Sequence, residues 1–110
     1  KGITKETLDN IAGYVDIVEV HNGRAFFQNR GPLATAWARI HGKAMAASSD
    51  AHGIKGMANT YTTIAAKPMH ENLVKLLATS RRQTTRPPLS SLLYPKYHRL
   101  RAKLKKTKKP

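Results

Sequence analysis

Apolar and polar positions along this chain repeat with two periods. Over residues 3–12 the apolar Ile3, Leu8, Ile11 and Ala12 gather on one side of a helix, with Thr4 placed to cap its first turn. Val15-Asp16-Ile17-Val18-Glu19-Val20 changes to a β-branched alternation of period two, which predicts a strand, and His21-Asn22-Gly23-Arg24 predicts the turn after it. Leu33, Ala36, Trp37 and Ile40 return to helical spacing; Pro32 suits a first helical position and Gly42 a position just past the end. Residues 43–49 predict a second strand, 53–56 a loop, and 59–66 a third strand. Residues 68–80 predict a helix with Leu73, Val74, Leu76 and Leu77 inward. Arg86-Pro87-Pro88 is a breaker, so residues 80–90 read as a linker. Beyond it Leu92, Leu93, Tyr94, Tyr97, Leu100 and Leu104 recur at helical intervals with Pro95 in the first turn, and residues 103–110 are too charged to fold alone.

The resulting order, α, β, α, β, β, α and a tail, contains one β-α-β crossover. A crossover of that kind implies two parallel strands and a right-handed connection. The fold class is therefore α/β.

Length and composition narrow the field. At 110 residues and 40% hydrophobic, the chain can bury the modest core of one domain, and is equally the size of a piece of a larger one. It opens on Lys1 rather than methionine, which points to a trimmed chain or a fragment. Cysteine is absent, which excludes disulfides, thiolate metal sites and thiol nucleophiles. No run approaches the roughly 18 apolar residues of a membrane span and no signal-peptide pattern opens the chain, so a cytoplasmic protein is the expectation.

The net charge of +14 sits at one end. Residues 81–110 hold eleven Lys/Arg and no acid, whereas residues 1–80 hold nine Lys/Arg and all six acidic residues. Clustered lysines gain free energy by releasing counterions from phosphates, so the tail suits a nucleic acid or an anionic membrane surface. The competing reading is a C-terminal helix that docks its Leu/Tyr stripe on the body and leaves its lysines solvated.

Candidate chemistry concentrates at Ser49-Asp50-Ala51-His52, directly after the apolar Ala44-Met45-Ala46-Ala47. Residues i and i+2 of a strand face one side, so Asp50 and His52 enter one pocket if extended backbone persists through both. The ends of such strands are where open α/β sheets and barrels keep their chemistry. The alternative is that Asp50 caps a turn and His52 is a surface residue, and spacing alone does not separate the two. Asn22 and Arg24 follow the first strand, where an amide and a guanidinium can hold phosphate oxygens; Arg24 reads equally well as a surface ion pair. Glu19 alternates with Val18 and Val20, which makes it a candidate carboxylate of a barrel interior. His21 is either a ligand or a polar strand-end residue, while His41, His70 and His98 belong to helix ends and the tail. Gly23, Gly53 and Gly56 read as turn residues, and Trp37 as core.

The series Val18-Glu19-Val20-His21-Asn22-Gly23-Arg24, a helix, Ala46-Ala47-Ser48-Ser49-Asp50-Ala51-His52, then Gly56 leading into Tyr61-Thr62-Thr63-Ile64 resembles the C-terminal half of PHP-domain (polymerase and histidinol phosphatase) metal-dependent phosphoesterases, over residues 13–78. The resemblance implies a distorted (β/α)7 barrel with parallel strands, a multi-metal site at the strand ends, and Asp50 and His52 as the family's final Asp-x-His ligands. The H-x-H, Asp-His pair, glutamate and further histidines that open the family's pattern are not in this chain. The expectation is thus the C-terminal portion of such a barrel over residues 1–80, followed by a basic linker and C-terminal helix or tail over residues 81–110.

Oxygen and imidazole donors without thiolate suit Mn, Fe or Zn, and Asp50 can bind one ion or orient the attacking water. Three or more protein ligands normally fix an ion, so the 110 residues are expected to be inactive alone and to need the N-terminal part of the same protein. The implied substrate is a phosphorylated small molecule or a nucleotide. Two readings from other classes stand beside this one: a nucleic-acid or anionic-surface binding module working through the basic tail, and self-association through exposed strand edges and apolar faces. Oligomeric state and substrate identity are not legible in the residues.

Overall fold

The first helix begins where the sequence offers a cap. In the computed structural model, which describes residues 3–25 and 30–107, helix α1 (Lys5–Asn10) starts with Thr4 Oγ1 accepting the Thr7 amide at 3.2 Å. Polar contacts hold α1 in place: Trp37 Nε1 donates to Asp9 Oδ1 at 2.7 Å, Lys5 pairs with the same carboxylate, and His41 stacks on Trp37 with ring centroids 4.3 Å apart. Ile3 and Ile11, expected on an apolar face, are exposed.

Strand β1 (Ile17–Asn22), helix α2 (Gly31–Ile40) and strand β2 (Ala44–Ser48) form the expected crossover, with β1 and β2 parallel. Helix α2 carries Pro32 in its first turn and ends at His41, after which Gly42 takes φ +63°. Its phase differs from the sequence reading. Trp37 and Ala38 are buried, while Leu33 and Ile40 are 71% and 80% exposed. The hydrogen bond from Trp37 to Asp9 fixes the rotation of the helix, and the small Ala38 lets its backbone come close to β1.

One irregularity in β1 changes which side chains share a face. The register steps from Glu19↔Ala46 to His21↔Ala47, leaving Val20 as an extra residue. Without this bulge Glu19 and Asn22 would face opposite sides; with it they pair with Ala46 and Ser48, two residues apart on β2, and share one.

Strand β3 (Thr60–Thr63) runs antiparallel to β4 (Arg81–Thr84), in register Thr60↔Thr84 to Thr63↔Arg81. Two readings are corrected here. Residues 81–84, assigned to a linker on the strength of the prolines, form a strand, and the second ladder is antiparallel where the barrel expectation has parallel strands. A strand of Arg-Arg-Gln-Thr has no apolar alternation, and all four residues are exposed, so periodicity could not reveal it. Among the described residues the strands form two two-stranded ladders and do not close a barrel.

The two ladders meet through a side chain. Ala44 N–H donates to Asp16 O and Ser48 O accepts from Gly23 N–H, so these β2 residues turn their peptides toward β1 and Ala47, in alternation, turns its peptide away. Thr62 Oγ1 fills that far edge, accepting from Ala47 N at 2.7 Å and donating to Ala47 O at 2.9 Å. Helix α3 (Leu73–Ala78) lays the buried Leu77 over β2. It is shorter than the predicted 68–80, because Asn72 Oδ1 accepts the Met69 amide and holds a turn before it, and Val74 is exposed rather than inward. Among the described residues the buried apolar set is small: Val20, Trp37, Ala38, Ala44, Ala47 and Leu77.

Residues Leu89–Leu93 form a 3-10 turn that leads into helix α4 (Tyr94–Thr107), with Pro95 in its first turn. The helix continues through residues 103–107, which charge density alone suggested would not fold. Residues 108–110 lie outside the described set, as does Lys1.

Two tests follow from these contacts. Replacing Thr62 by Val keeps the volume but strands both polar groups of the Ala47 peptide, and we expect a loss of about 2–4 kcal/mol in urea unfolding, with Thr62→Ser retaining most of the stability. The Asp9 carboxyl is held below its ordinary value by the hydrogen bond from Lys5, then by that from Trp37. A carboxylate lowered on folding contributes stability that is present above its unfolded pKa and is lost as pH falls through the folded one. Fluorescence of Trp37, the only tryptophan, should therefore shift to the red below the ordinary aspartate range, and Asp9→Asn should show the shifted spectrum already at neutral pH.

Candidate functional site

Three strand ends are drawn together at Gly23. Its amide donates to Ser48 O at 2.8 Å, and a Cβ there would lie 3.0 Å from Ser49 O and 3.1 Å from Thr60 Oγ1, so hydrogen is the side chain that fits without displacing a neighbour. Thr60, 2% exposed, bonds through Oγ1 to Thr85 O at 3.2 Å. The ends of β1 and β2 and the start of β3 thus share one point, and the candidate residues stand around it.

Asn22 and Arg24 form the turn after β1. Asn22 Oδ1 accepts the Arg24 amide at 2.9 Å and Asn22 O accepts the Ala25 amide at 3.0 Å, so the amide oxygen of Asn22 is engaged in shaping the turn. That turn carries the Arg24 side chain across to the end of β2. Nη1 of Arg24 lies 2.8 Å from Nδ1 and 3.1 Å from Nε2 of His52. Nε of Arg24 is buried and has no hydrogen-bond partner among the described residues.

Beyond Ser48 the backbone leaves the strand. Asp50 adopts φ +47°, a left-handed conformation that Asp and Asn tolerate better than most residues. The condition set by the sequence, extended backbone through both ligand positions, is therefore not met. A turn does the work instead. His52 Nδ1 lies 2.9 Å from Asp50 O and 3.7 Å from Asp50 Oδ1, and both side chains are a little under half exposed.

Arg24, Asp50 and His52 converge from two loops. Because a guanidinium only donates, its contact with the imidazole is a hydrogen bond when the facing nitrogen is unprotonated. That is also the state in which imidazole binds a metal. Carboxylate and imidazole donors suit a divalent ion chemically. Among the described residues, however, no group of three or more His, Asp or Glu is placed to hold one, so the pair fits as part of a ligand set.

The other candidates lie apart. Glu19 accepts a hydrogen bond from Ser48 Oγ and is exposed rather than enclosed in a barrel interior. His21 lines a separate cleft of about 490 Å³ with Pro32, Thr35, Arg39 and Arg82. His41 is stacked on Trp37, His70 is exposed, and His98 lies beside the rings of Tyr94 and Tyr97.

Residues 31–81, from the first turn of α2 to the first residue of β4, match the family model described as PHP-associated. That stretch, a little under half of the chain, is similar to the PHP-associated family. No curated protein and no solved structure gives a significant match to the chain. Within the matched segment stand Asp50 and His52, whereas Asn22 and Arg24 precede it, so the contact between Arg24 and His52 ties the segment to the strand before it.

A second tie was not visible in the sequence. Gly53, next to His52, has extended backbone, and a Cβ at that position would overlap the ring of Tyr94 at the start of α4. Gly56 likewise lies against Ala51, with Ser91 of the 3-10 turn beside it. The loop that carries His52 is therefore packed against the C-terminal segment, and the only sequence signal for this was a pair of glycines readable as ordinary turn residues.

The backbone at Asp50 makes a prediction independent of activity. Asp50→Gly should be more stable than Asp50→Ala by about 1 kcal/mol in urea unfolding, since Ala must be forced into the left-handed region and Gly need not be. Equal midpoints for the two variants would show that the residue is not held at positive φ.

Proposed function

We propose that this chain forms part of a PHP-type metal-dependent phosphoesterase, as the C-terminal portion of a β/α barrel in which Asp50 and His52 are metal ligands. The observation that carries the reading is the convergence of Arg24, Asp50 and His52 at the ends of β1 and β2, with no hydrogen-bond partner for Arg24 Nε among the described residues. The PHP-associated match over residues 31–81 supports it.

The residues divide the chemistry among them. Arg24 leaves the imidazole and turns its guanidinium to a phosphate oxygen, a move that would also expose the Nε–H that has no partner among the described residues. His52, relieved of that contact, would offer a ring nitrogen as a ligand to a divalent ion. Asp50 either ligates the same ion or holds the attacking water and accepts its proton. Asn22 keeps the turn that aims Arg24, and its amide NH2 can donate to a second phosphate oxygen. A divalent ion such as Mn, Fe or Zn, held in part by Asp50 and His52, would supply Lewis acidity for hydrolysis of the ester. The substrate is then a phosphorylated small molecule or a nucleotide.

Metal-stimulated hydrolysis of p-nitrophenyl phosphate by the intact protein that contains this chain tests the assignment. Asp50→Ala should lower turnover by about 100-fold or more with an unchanged far-UV spectrum, and Arg24→Met should act mainly on KM. Turnover unaffected by Asp50→Ala refutes the role given to that residue.

A further inference from the structure

Helix α4 is the part of the molecule that the phosphoesterase reading leaves unused, and it is also the part the fold covers least. The chain measures 57 × 34 × 26 Å with a radius of gyration of 17.4 Å, whereas a compact chain of this length would have about 13 Å. The packing of α4 is mainly against the Leu89–Leu93 turn at its root. Leu93, the last residue of that turn, and Tyr97, Leu100 and Leu104 along α4 follow at intervals of four, three and four, and the three on the helix lie within about 60° of one another. The four are 59, 58, 59 and 57% exposed. The docking of this stripe on the protein's own body, weighed from the sequence, is therefore not what the fold does.

Cations border the stripe. Lys96 and Lys103 follow one side and Arg101 the other, and Lys96, Arg99 and Lys103 line a shallow depression of about 240 Å³ beside Leu100. No acidic residue occurs anywhere from Asn72 to Pro110. We propose that α4 is a membrane-surface helix, which lays Leu93, Tyr97, Leu100 and Leu104 into the interface of a bilayer containing anionic phospholipid while the flanking lysines and arginines reach its headgroups.

Charge and apolar pattern together choose this occupant. A second copy of α4 would use the same four-three-four seam, but would set Lys96, Arg101 and Lys103 against their own equivalents. A nucleic acid would take the cations and leave four large apolar side chains in water. An acidic protein groove is normally read through a pattern of both signs that fixes register, and α4 has one sign throughout. A laterally uniform anionic bilayer needs no register, accepts the apolar stripe and lets long basic side chains extend from it to the headgroups. No helix among the described residues is long and apolar enough to cross a membrane, so α4 would lie on the surface. Since Tyr94 packs against Gly53, the bound helix would also hold the Asp50–His52 loop close to the bilayer.

This inference goes beyond the phosphoesterase reading and does not depend on it. Co-sedimentation of the purified chain with vesicles of equal parts phosphatidylcholine and phosphatidylserine should show binding, weakened by added salt, and pure phosphatidylcholine vesicles should show little. Leu100→Glu and, separately, Tyr97→Ser should each reduce partition by about tenfold or more, with unchanged far-UV spectra, because both side chains are exposed in the fold. Three results would overturn the proposal: no sedimentation with the anionic vesicles, equal binding to pure phosphatidylcholine, or binding to anionic vesicles that is indifferent to both substitutions. Sedimentation of the free chain as a dimer that Leu100→Glu dissolves, or tight binding to duplex DNA or RNA in place of vesicles, would assign the stripe and its cations to those partners instead.

Discussion

The Ala47 peptide lies on the edge of β2 that faces away from β1, and the Thr62 hydroxyl satisfies both its N–H and its C=O. That pair of hydrogen bonds stands where a third strand of the sheet would otherwise be. Through it the β3–β4 ladder is fastened to the β1–β2 ladder, and with β3 in place Thr60 approaches Gly23 at the strand ends. With few buried apolar side chains among the described residues, these two hydrogen bonds carry much of the join between the ladders. Leaving a buried peptide unpaired costs more than a typical hydrogen bond contributes, so this join is worth more than its size suggests.

The site inherits its geometry from that join. Gly23 permits the close approach of β1, the Ser49 backbone and Thr60, and the Asx turn of Asn22 aims Arg24 across the gap toward His52. Asp50 departs from the strand at positive φ, and the turn so formed brings the His52 ring back onto the Asp50 carbonyl. Backbone strain of this kind persists where the surroundings over-determine it. Here the surroundings are Gly53 and Gly56, which let Tyr94 and the Leu89–Leu93 turn pack on the loop's far side. Catalytic candidates and C-terminal helix are thus two faces of one loop.

Charge is divided along the same line. The body holds all six acidic residues and uses one of them, Asp9, as a structural pivot for Lys5, Trp37 and His41. The C-terminal segment has none, and its cations stand beside an exposed apolar stripe. The similarity of residues 31–81 to the PHP-associated family takes in the loop and stops short of α4, whose surface chemistry stands by itself.

Local pattern was enough to determine the β1–α2–β2 crossover, the Thr4 cap, Gly42 past the end of α2 and Pro95 in the first turn of α4. Each rests on short-range sterics or on side-chain type, which neighbouring residues express without help. The strand at Arg81–Thr84 has no alternation to announce it and exists because β3 offers an edge. The phase of α2, with Leu33 and Ile40 outward, follows from a hydrogen bond between residues 28 positions apart. The approach of Arg24 to His52 spans the same separation and depends on a turn, a bulge and a glycine acting together. Which side chains meet at long range is set by packing among elements, and no periodicity within one element encodes it.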